Sequence, residues 1–456
     1  MPTILHISTR LILGGSQENT VLSCEGQARL GHDVHLAYGP IYGPEGSLLD
    51  RVKAFRTLDA REIHCHEIPH MFREIKPIAD LRCYRELHAL IREIRPDVIH
   101  THSSKAGVIG RSAGWAEVAA YTKQLERSRA LAAERQATQL DAEAAAAGQA
   151  DLSSSPSDSR DDSPTGGAIS RWPDGPPAIV HTIHGPPFHE YLSSRKNTLY
   201  VRAERYAAER THVIVSVADA MTDQFLANGI GKPELYETVY SGMEVDKFLT
   251  PREGEDRESI RAELGFTDRD YVVGTVARLA ELKGHDDVID ALSPEIRTRR
   301  NWKLLWVGDG WWRDRLLDRV HTLGLRNNVV TTGLVPQDRV PAMIRAMDVL
   351  VHPSCREGLP RTVPQALLCA VPVVASDTDG TPEVCRNEQT GLLFPVGDAP
   401  ALRKAVVWMH DHPEEARAMT ERGRELCRDM FCAERMVAQL ERVYQRALAL
   451  ARADVA

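Results

Sequence analysis

Short apolar runs alternate with helical periods along most of the chain. Residues 3–9 and 33–38 read as strands bracketing a helix from about 16 to 30, with Gly14-Gly15 in the loop between. Over residues 80–95, Leu81, Tyr84, Leu87, Ile91 and Ile94 recur at helical spacing. Pro96 stops that helix, and Val98-Ile99-His100 opens the next strand. Further β-rich runs lie at 178–183 and 212–217. A second series starts at 271–276, feeds a helix near 284–292, and continues through 304–308, 329–331, 349–351 and 371–375, with helices in the gaps. Such alternation predicts an α/β architecture of parallel sheets covered by helices, in two doubly wound units joined near 242–265. A helical tail runs from about 412 to 453.

One stretch breaks the pattern. Residues 116–150 are alanine-rich and charged, with too few apolar positions for a broad core face, and predict a helical arm. Residues 151–174 are rich in Ser, Asp, Pro and Gly and predict an exposed, disordered loop. Together, 116–175 read as one insertion in the first unit.

Composition narrows the class. The 456 residues, 43% hydrophobic, could fill two or three domains, and the order of the elements reduces this to two. A net charge of −8, part of it from the acidic insertion, offers no overall cationic field for nucleic acid. The eight cysteines never fall as Cys-x-x-Cys and read as reduced thiols. His64-Cys65-His66 has the residue types of a metal site. No second ligand cluster follows it, so it reads as the polar end of a strand. The first residues enter a strand with no signal-peptide pattern, and no apolar run approaches the ~18 residues of a membrane span. The expectation is a cytoplasmic protein, at most peripheral at the inner face of a membrane.

Candidate chemistry sits at the strand exits, where open α/β sheets bind ligands. Gly14 and Gly15 form either a plain tight turn or a backbone cradle for an anion at a helix start. The loop is not G-x-G-x-x-G, which weighs against a nicotinamide enzyme. His100-Thr101-His102 and His181-Thr182-Ile183-His184 end two strands. Each histidine is either satisfied internally or free to bond substrate hydroxyls, and His184, flanked by Gly185 and Pro186, is the functional candidate. Arg278 and Lys283 flank a second strand exit at a spacing that can converge on a diphosphate. Glu357 stands in a loop after the 349–351 strand. A helix opening around 360–362 offers free N–H groups for a phosphate, and Gln365 is read two turns along it. Asp377-Thr378-Asp379 imitates a metal-binding Asp-x-Asp but reads as loop chemistry.

These elements, in this order, resemble the glycosyltransferase family 4 group of retaining enzymes on the GT-B fold. The carriers are Gly14-Gly15, His-Thr-His-Ser-Ser-Lys-Ala-Gly (100–107), His-Thr-Ile-His-Gly (181–185), the Arg278 and Lys283 pair, and EGLPRTVPQAL (357–367) followed by Pro382-Glu383. The resemblance implies two Rossmann-like domains, with parallel sheets facing a central cleft and a C-terminal helix packing back towards the first. The implied division is 1–242 for the acceptor, 243–425 for a nucleotide-sugar donor, and 426–456 as tail. Arg278, Lys283 and Gly15 match donor-diphosphate contacts, Glu357 and His184 match contacts to the donor sugar, and Gly358, Leu359, Thr362 and Val363 match backbone contacts to sugar and phosphates. The second family glutamate, a ribose ligand, is replaced by Gln365, which keeps an acceptor oxygen but loses the charge-assisted bond.

The implied activity is glycosyl transfer with retention, from a UDP- or GDP-linked sugar to a hydroxyl of a glycan or polyprenyl-diphosphate-linked acceptor, without metal or cofactor. The His-Ser-Ser-Lys-Ala-Gly (102–107) and His-Gly-Pro-Pro-Phe-His (184–189) segments look most like enzymes building bacterial surface polysaccharides on polyprenyl carriers. Arg73, Lys76, Arg82, Arg85, Arg92 and Arg95 are either solvated charges or a contact for an anionic surface or acceptor. The alternative is a catalytically silent sugar-nucleotide scaffold or sensor, suggested by Gln365. A sugar-nucleotide epimerase on the same fold ranks lower, as does a phosphorylase, which would need a pyridoxal lysine that is not found.

Overall fold

The computed structural model describes residues 1–42, 46–147, 172 and 175–455. The predicted loop 151–174 therefore lies outside the described residues except at Trp172. A seven-stranded parallel sheet comprises β1 (Thr3–Ser8), β2 (Asp33–Tyr38), β3 (Ile63–Glu67), β4 (Val98–His102), β5 (Ala178–Ile183), β6 (Val213–Ser216) and β7 (Tyr236–Thr238), in the order β3-β2-β1-β4-β5-β6-β7. A six-stranded parallel sheet comprises β8 (Tyr271–Val276), β9 (Trp302–Val307), β10 (Val329–Gly333), β11 (Val349–His352), β12 (Val373–Asp377) and β13 (Leu392–Pro395), in the order β10-β9-β8-β11-β12-β13. In both, the first strand of the series lies centrally and the order reverses beside it, which opens a crevice beyond the strands' carboxyl ends. The short strands β7 and β13 lie at sheet edges and were not among the runs read from the pattern.

Around the first sheet run α1 (Gly15–Arg29), α2 (Leu49–Ala54), α3 (Pro77–Ile94), α4 (Ser104–Ala147), α5 (Ser194–Ala208) and α6 (Asp219–Ala227). After α7 (Asp246–Leu249), α8 (Arg257–Glu263), α9 (His285–Thr298), α10 (Arg313–Thr322), α11 (Val340–Arg345), α12 (Thr362–Leu368), α13 (Thr381–Val384), α14 (Ala399–Asp411) and α15 (Pro413–Met430) surround the second. The last helix, α16 (Ala433–Ala453), returns to the first sheet. Its Met436, Val437, Leu440, Val443, Tyr444, Ala447 and Ala451 share a core with Ile4, Val98, Ala178, Val180 and Val213. The fold is thus the two-domain α/β GT-B arrangement, with the C-terminal helix where it was expected.

Three details depart from the sequence reading. First, the helical arm does not begin at 116: α4 starts at Ser104 and runs 44 residues, about 66 Å at 1.5 Å per residue. Its first turns are core, and nearly every described position past 122 is exposed. Alanine's high helix propensity supports a helix that buries so little of itself. Second, Trp172 is not part of an exposed loop. It is 5% exposed, packs with Leu87, Ile91 and Ile99, and donates its indole N–H to the Pro96 carbonyl at 3.1 Å. Third, α3 buries Cys83, Leu87 and Ile91, whereas Leu81 is exposed. Leu81 lies six residues before Leu87, about 120° around the helix from it, so it falls off the stripe.

Candidate active site

Two loops of the second sheet build one wall of the crevice. Between β8 and α9, Leu282 and Gly284 both adopt left-handed φ, 65° and 67°. A Cβ at Gly284 would collide with the Pro353 carbonyl, and Leu282 accepts the Cys355 N–H at 2.9 Å. This pins the loop carrying Lys283 to the loop carrying Glu357. Lys283 Nζ then meets Glu357 Oε1 at 2.5 Å, and Ser354 Oγ donates to the same oxygen at 2.7 Å. The Glu357 backbone N–H donates to Asp379 at 2.6 Å, and Asp379 also accepts from Gln224 of the first domain at 2.5 Å. The Asp-x-Asp segment therefore works as a loop clamp. Burial opposes ionisation of Glu357, but Lys283 and His352 outweigh it and hold the carboxyl well below its usual range.

The opposite wall comes from the first sheet. His184, just past β5, is kept neutral by burial and by the Arg361 guanidinium, its pKa lowered to about 3. Behind it runs a buried chain of hydrogen bonds. Gln27 Nε2 donates to the Tyr444 hydroxyl at 2.8 Å, which leaves its carbonyl oxygen to accept from His6 Nε2 at 2.7 Å. His6 Nδ1 then accepts from His102 Nε2 at 2.9 Å, and His102 Nδ1 accepts from His184 Nε2 at 3.3 Å. With the Gln27 amide in this orientation, the direction of every bond is set and His184 keeps Nδ1 as an acceptor. On the far side, Tyr444 donates to His100 Nδ1 at 2.7 Å, and His100 Nε2 donates to Thr182 at 2.7 Å. His100 and His102 are thus internal, as is His181, which bonds Thr101.

The cleft between these walls encloses about 320 Å³. Of the residues singled out in the sequence, it gathers Gly15, His184, Arg278, Lys283, Glu357, Gly358, Leu359 and Thr362. Gly14, Val363 and Gln365 do not line it. Gly14 precedes α1, Val363 is fully buried, and Gln365, 9% exposed, sits in the first turn of α12 rather than two turns along, because that helix starts at Thr362. Larger hollows of 440 and 610 Å³ flank α4 but gather no comparable set of groups.

Sequence reasoning missed the residues that join the domains at this cleft. Arg361 lies against Gly15, where a Cβ would collide with its side chain, and pairs with Glu18 in the first turn of α1 at 2.9 Å. Gln337 donates to the same carboxylate. Glu383, noted only as part of a motif, accepts from the Asp219 and Ala220 N–H groups at the start of α6 and from the Tyr240 hydroxyl. A glutamate beside a proline gives no local sign that it caps a helix of the other domain.

Residues 256–426 match the family described as glycosyl transferases group 1, and residues 14–158 match a glycosyl transferase 4-like domain. The N-acetyl-alpha-D-glucosaminyl L-malate synthase of Bacillus anthracis is 26% identical over 58% of this chain and 67% of its own. The UDP-Gal:alpha-D-GlcNAc-diphosphoundecaprenol alpha-1,3-galactosyltransferase of Escherichia coli is 23% identical over 90% of this chain and 88% of its own. Several other relatives are matched over only about half their length, such as 52% of a mannosyltransferase from Corynebacterium glutamicum. The crystal structure of Anabaena Alr3699/HepE with UDP-glucose superposes with a TM-score of 0.70, 18% identity, and coverage of 98% of this chain and 100% of that one. Family matches over both halves, on this fold, show that the chain belongs to the family 4 group of glycosyltransferases.

Proposed function

We propose that the chain transfers a sugar, with retention at the anomeric carbon, from a UDP- or GDP-linked donor to a hydroxyl of a glycan or polyprenyl-diphosphate-linked acceptor in cell-surface polysaccharide synthesis. The observation that carries this reading is the placing of Arg278, Lys283 and Glu357 opposite His184 across one cleft. The two cations suit a diphosphate whose charge grows as the glycosidic bond breaks. Glu357, held ionised, suits sugar hydroxyls, and neutral His184 presents an acceptor nitrogen from the other wall. In the proposed front-face reaction the acceptor oxygen bonds the anomeric carbon, the carbon–oxygen bond to the diphosphate breaks, and the hydroxyl proton passes to a diphosphate oxygen. No side-chain base, metal or cofactor is required. The UDP-Gal named for the Escherichia coli relative and the UDP-glucose in the Anabaena structure support a nucleotide-sugar donor.

The acceptor side supports work at a membrane surface. At the start of α3, beyond the carboxyl end of β3, Ile75, Ile78 and Leu81 are 56%, 74% and 52% exposed beside exposed Arg73, Lys76, Arg82 and Arg85. Apolar side chains ringed by cations suit an anionic interface. Among the described residues no helix is long and apolar enough to cross a membrane. We place the protein in the cytoplasm, peripheral at the inner face.

The test is a panel of UDP- and GDP-sugars offered with polyprenyl-diphosphate glycans and read by mass spectrometry. One donor should give an α-linked product with release of the nucleoside diphosphate. Saturable donor binding without turnover on any acceptor would instead favour the silent scaffold that Gln365 suggests.

A further inference from the structure

The His64-x-His66 motif lacks a second ligand cluster downstream, but the fold supplies one from upstream. Asp33 and His35 alternate on β2 as His64 and His66 do on β3, so each pair points to one face of its strand. The parallel register sets His35 against His64 and brings the four side chains onto the same face. The Asp33 carboxylate stands between two imidazoles, its Oδ2 3.3 Å from His35 Nε2 and its Oδ1 3.5 Å from His64 Nε2. All three donor atoms lie within 4.8 Å of one another. Tetrahedral Zn²⁺ with bonds of about 2.0–2.1 Å has ligand edges of roughly 3.3–3.4 Å, and each imidazole already stands near that spacing from one oxygen of the shared carboxylate.

The surroundings fit as well. His35 Nδ1 lies 2.9 Å from His66 Nε2, so its far nitrogen has the outer partner that metal-bound histidines use to fix ring orientation. Asp33 and His64 have side chains 51% and 44% exposed, leaving a further coordination position open to water and freedom for the carboxylate to adjust between the imidazoles. The other histidine cluster, His6, His100 and His102, differs. It is buried, and its ring nitrogens are engaged with Gln27, Tyr444, Thr182 and neighbouring imidazoles.

We propose that Asp33, His35 and His64 bind one divalent transition-metal ion, with Zn²⁺ the best match to two imidazoles and a carboxylate, and that His66 positions His35. The site lies at the amino ends of β2 and β3, away from the cleft at the carboxyl ends. It bridges the edge strand to its neighbour, so the metal staples the sheet rather than taking part in transfer. This role is independent of the metal-free reaction proposed above.

The experiment titrates the tag-free, chelator-stripped full chain with Zn²⁺ by calorimetry and with Co²⁺ by visible absorption. One equivalent should bind, with the intense Co²⁺ bands of a four-coordinate site and a rise in the thermal midpoint. His64→Ala and Asp33→Asn, at exposed positions, should each weaken binding more than tenfold. His66→Gln should weaken it 10- to 100-fold, and His70→Ala should leave it unchanged. No saturable binding, or binding unaltered in the Asp33→Asn/His64→Ala double variant, would overturn the proposal. Loss of binding in His6→Gln instead would assign the metal to the buried cluster and overturn it too. Glycosyl transfer itself reads the activity separately: it should be equal with and without Zn²⁺.

Discussion

Gly358 presses so closely on the carbonyl oxygen of His184 that a Cβ at position 358 would overlap it. This backbone contact sets the width of the cleft where the two walls meet. Gly358→Ala should therefore force the loops apart, costing about 1–3 kcal/mol of stability as overpacking does. Donor KM should rise more than the stability loss explains. Thermal unfolding and donor kinetics on the same preparation check this, and an unchanged KM would contradict it.

Arg278 and Lys283 predict a graded result. Arg278→Ala and Lys283→Ala should each lower kcat/KM for the donor by about 2–4 kcal/mol of transition-state stabilisation. Lys283→Ala should also destabilise the fold, by roughly 1–3 kcal/mol, because Glu357 then stays buried without its ammonium. Steady-state kinetics with urea titration separates the two effects.

The imidazole chain makes stability depend on pH in a definite direction. Burial lowers the pKa of His6 to about 4 and that of His184 to about 3, and it holds His100, His102 and His181 well below 6.5. The unfolded chain therefore takes up protons first as pH falls below about 6.5, and these histidines favour folding only above that value. Depressed Glu357 adds a second loss as pH falls below its unfolded value of 4.5. Urea midpoints should be flat above pH 7 and fall steadily from 6.5 towards 4. A midpoint constant to pH 5 would refute this.

Trp172 anchors the far end of the insertion. Trp172→Ala should cost about 3–5 kcal/mol, the loss for emptying a buried indole site, although composition assigns the residue to an exposed loop. A denaturation midpoint within experimental error of the parent would remove it from the core.

The order of strands and helices, and the clustering of His184, Arg278, Lys283 and Glu357, were legible because each follows a strand exit and parallel sheets gather their exits at one end. Contacts between the domains were not. The Arg361–Glu18 pair and the capping of α6 by Glu383 depend on how two finished sheets dock, and the Gln27–Tyr444 bond, 417 residues apart, on the return of α16 to the first sheet. No local period encodes that docking. The Asp33 and His64 neighbourhood depended on which strand would pair with β3, which neither segment states alone. Leu81 shows the converse error: an apolar residue near a helical stripe counts as core only when its angle agrees.

Helix α16 also orders the making of the protein. The face of the first sheet that includes Val98, Ala178, Val180 and Val213 has its cover in residues 433–453, synthesised after both sheets. The first domain therefore cannot complete its core as it leaves the ribosome, although domains generally fold in order of synthesis. A nascent chain arrested before α16 would carry an open apolar sheet face, the kind of surface chaperones exist to shield, until the last helix closes the first domain.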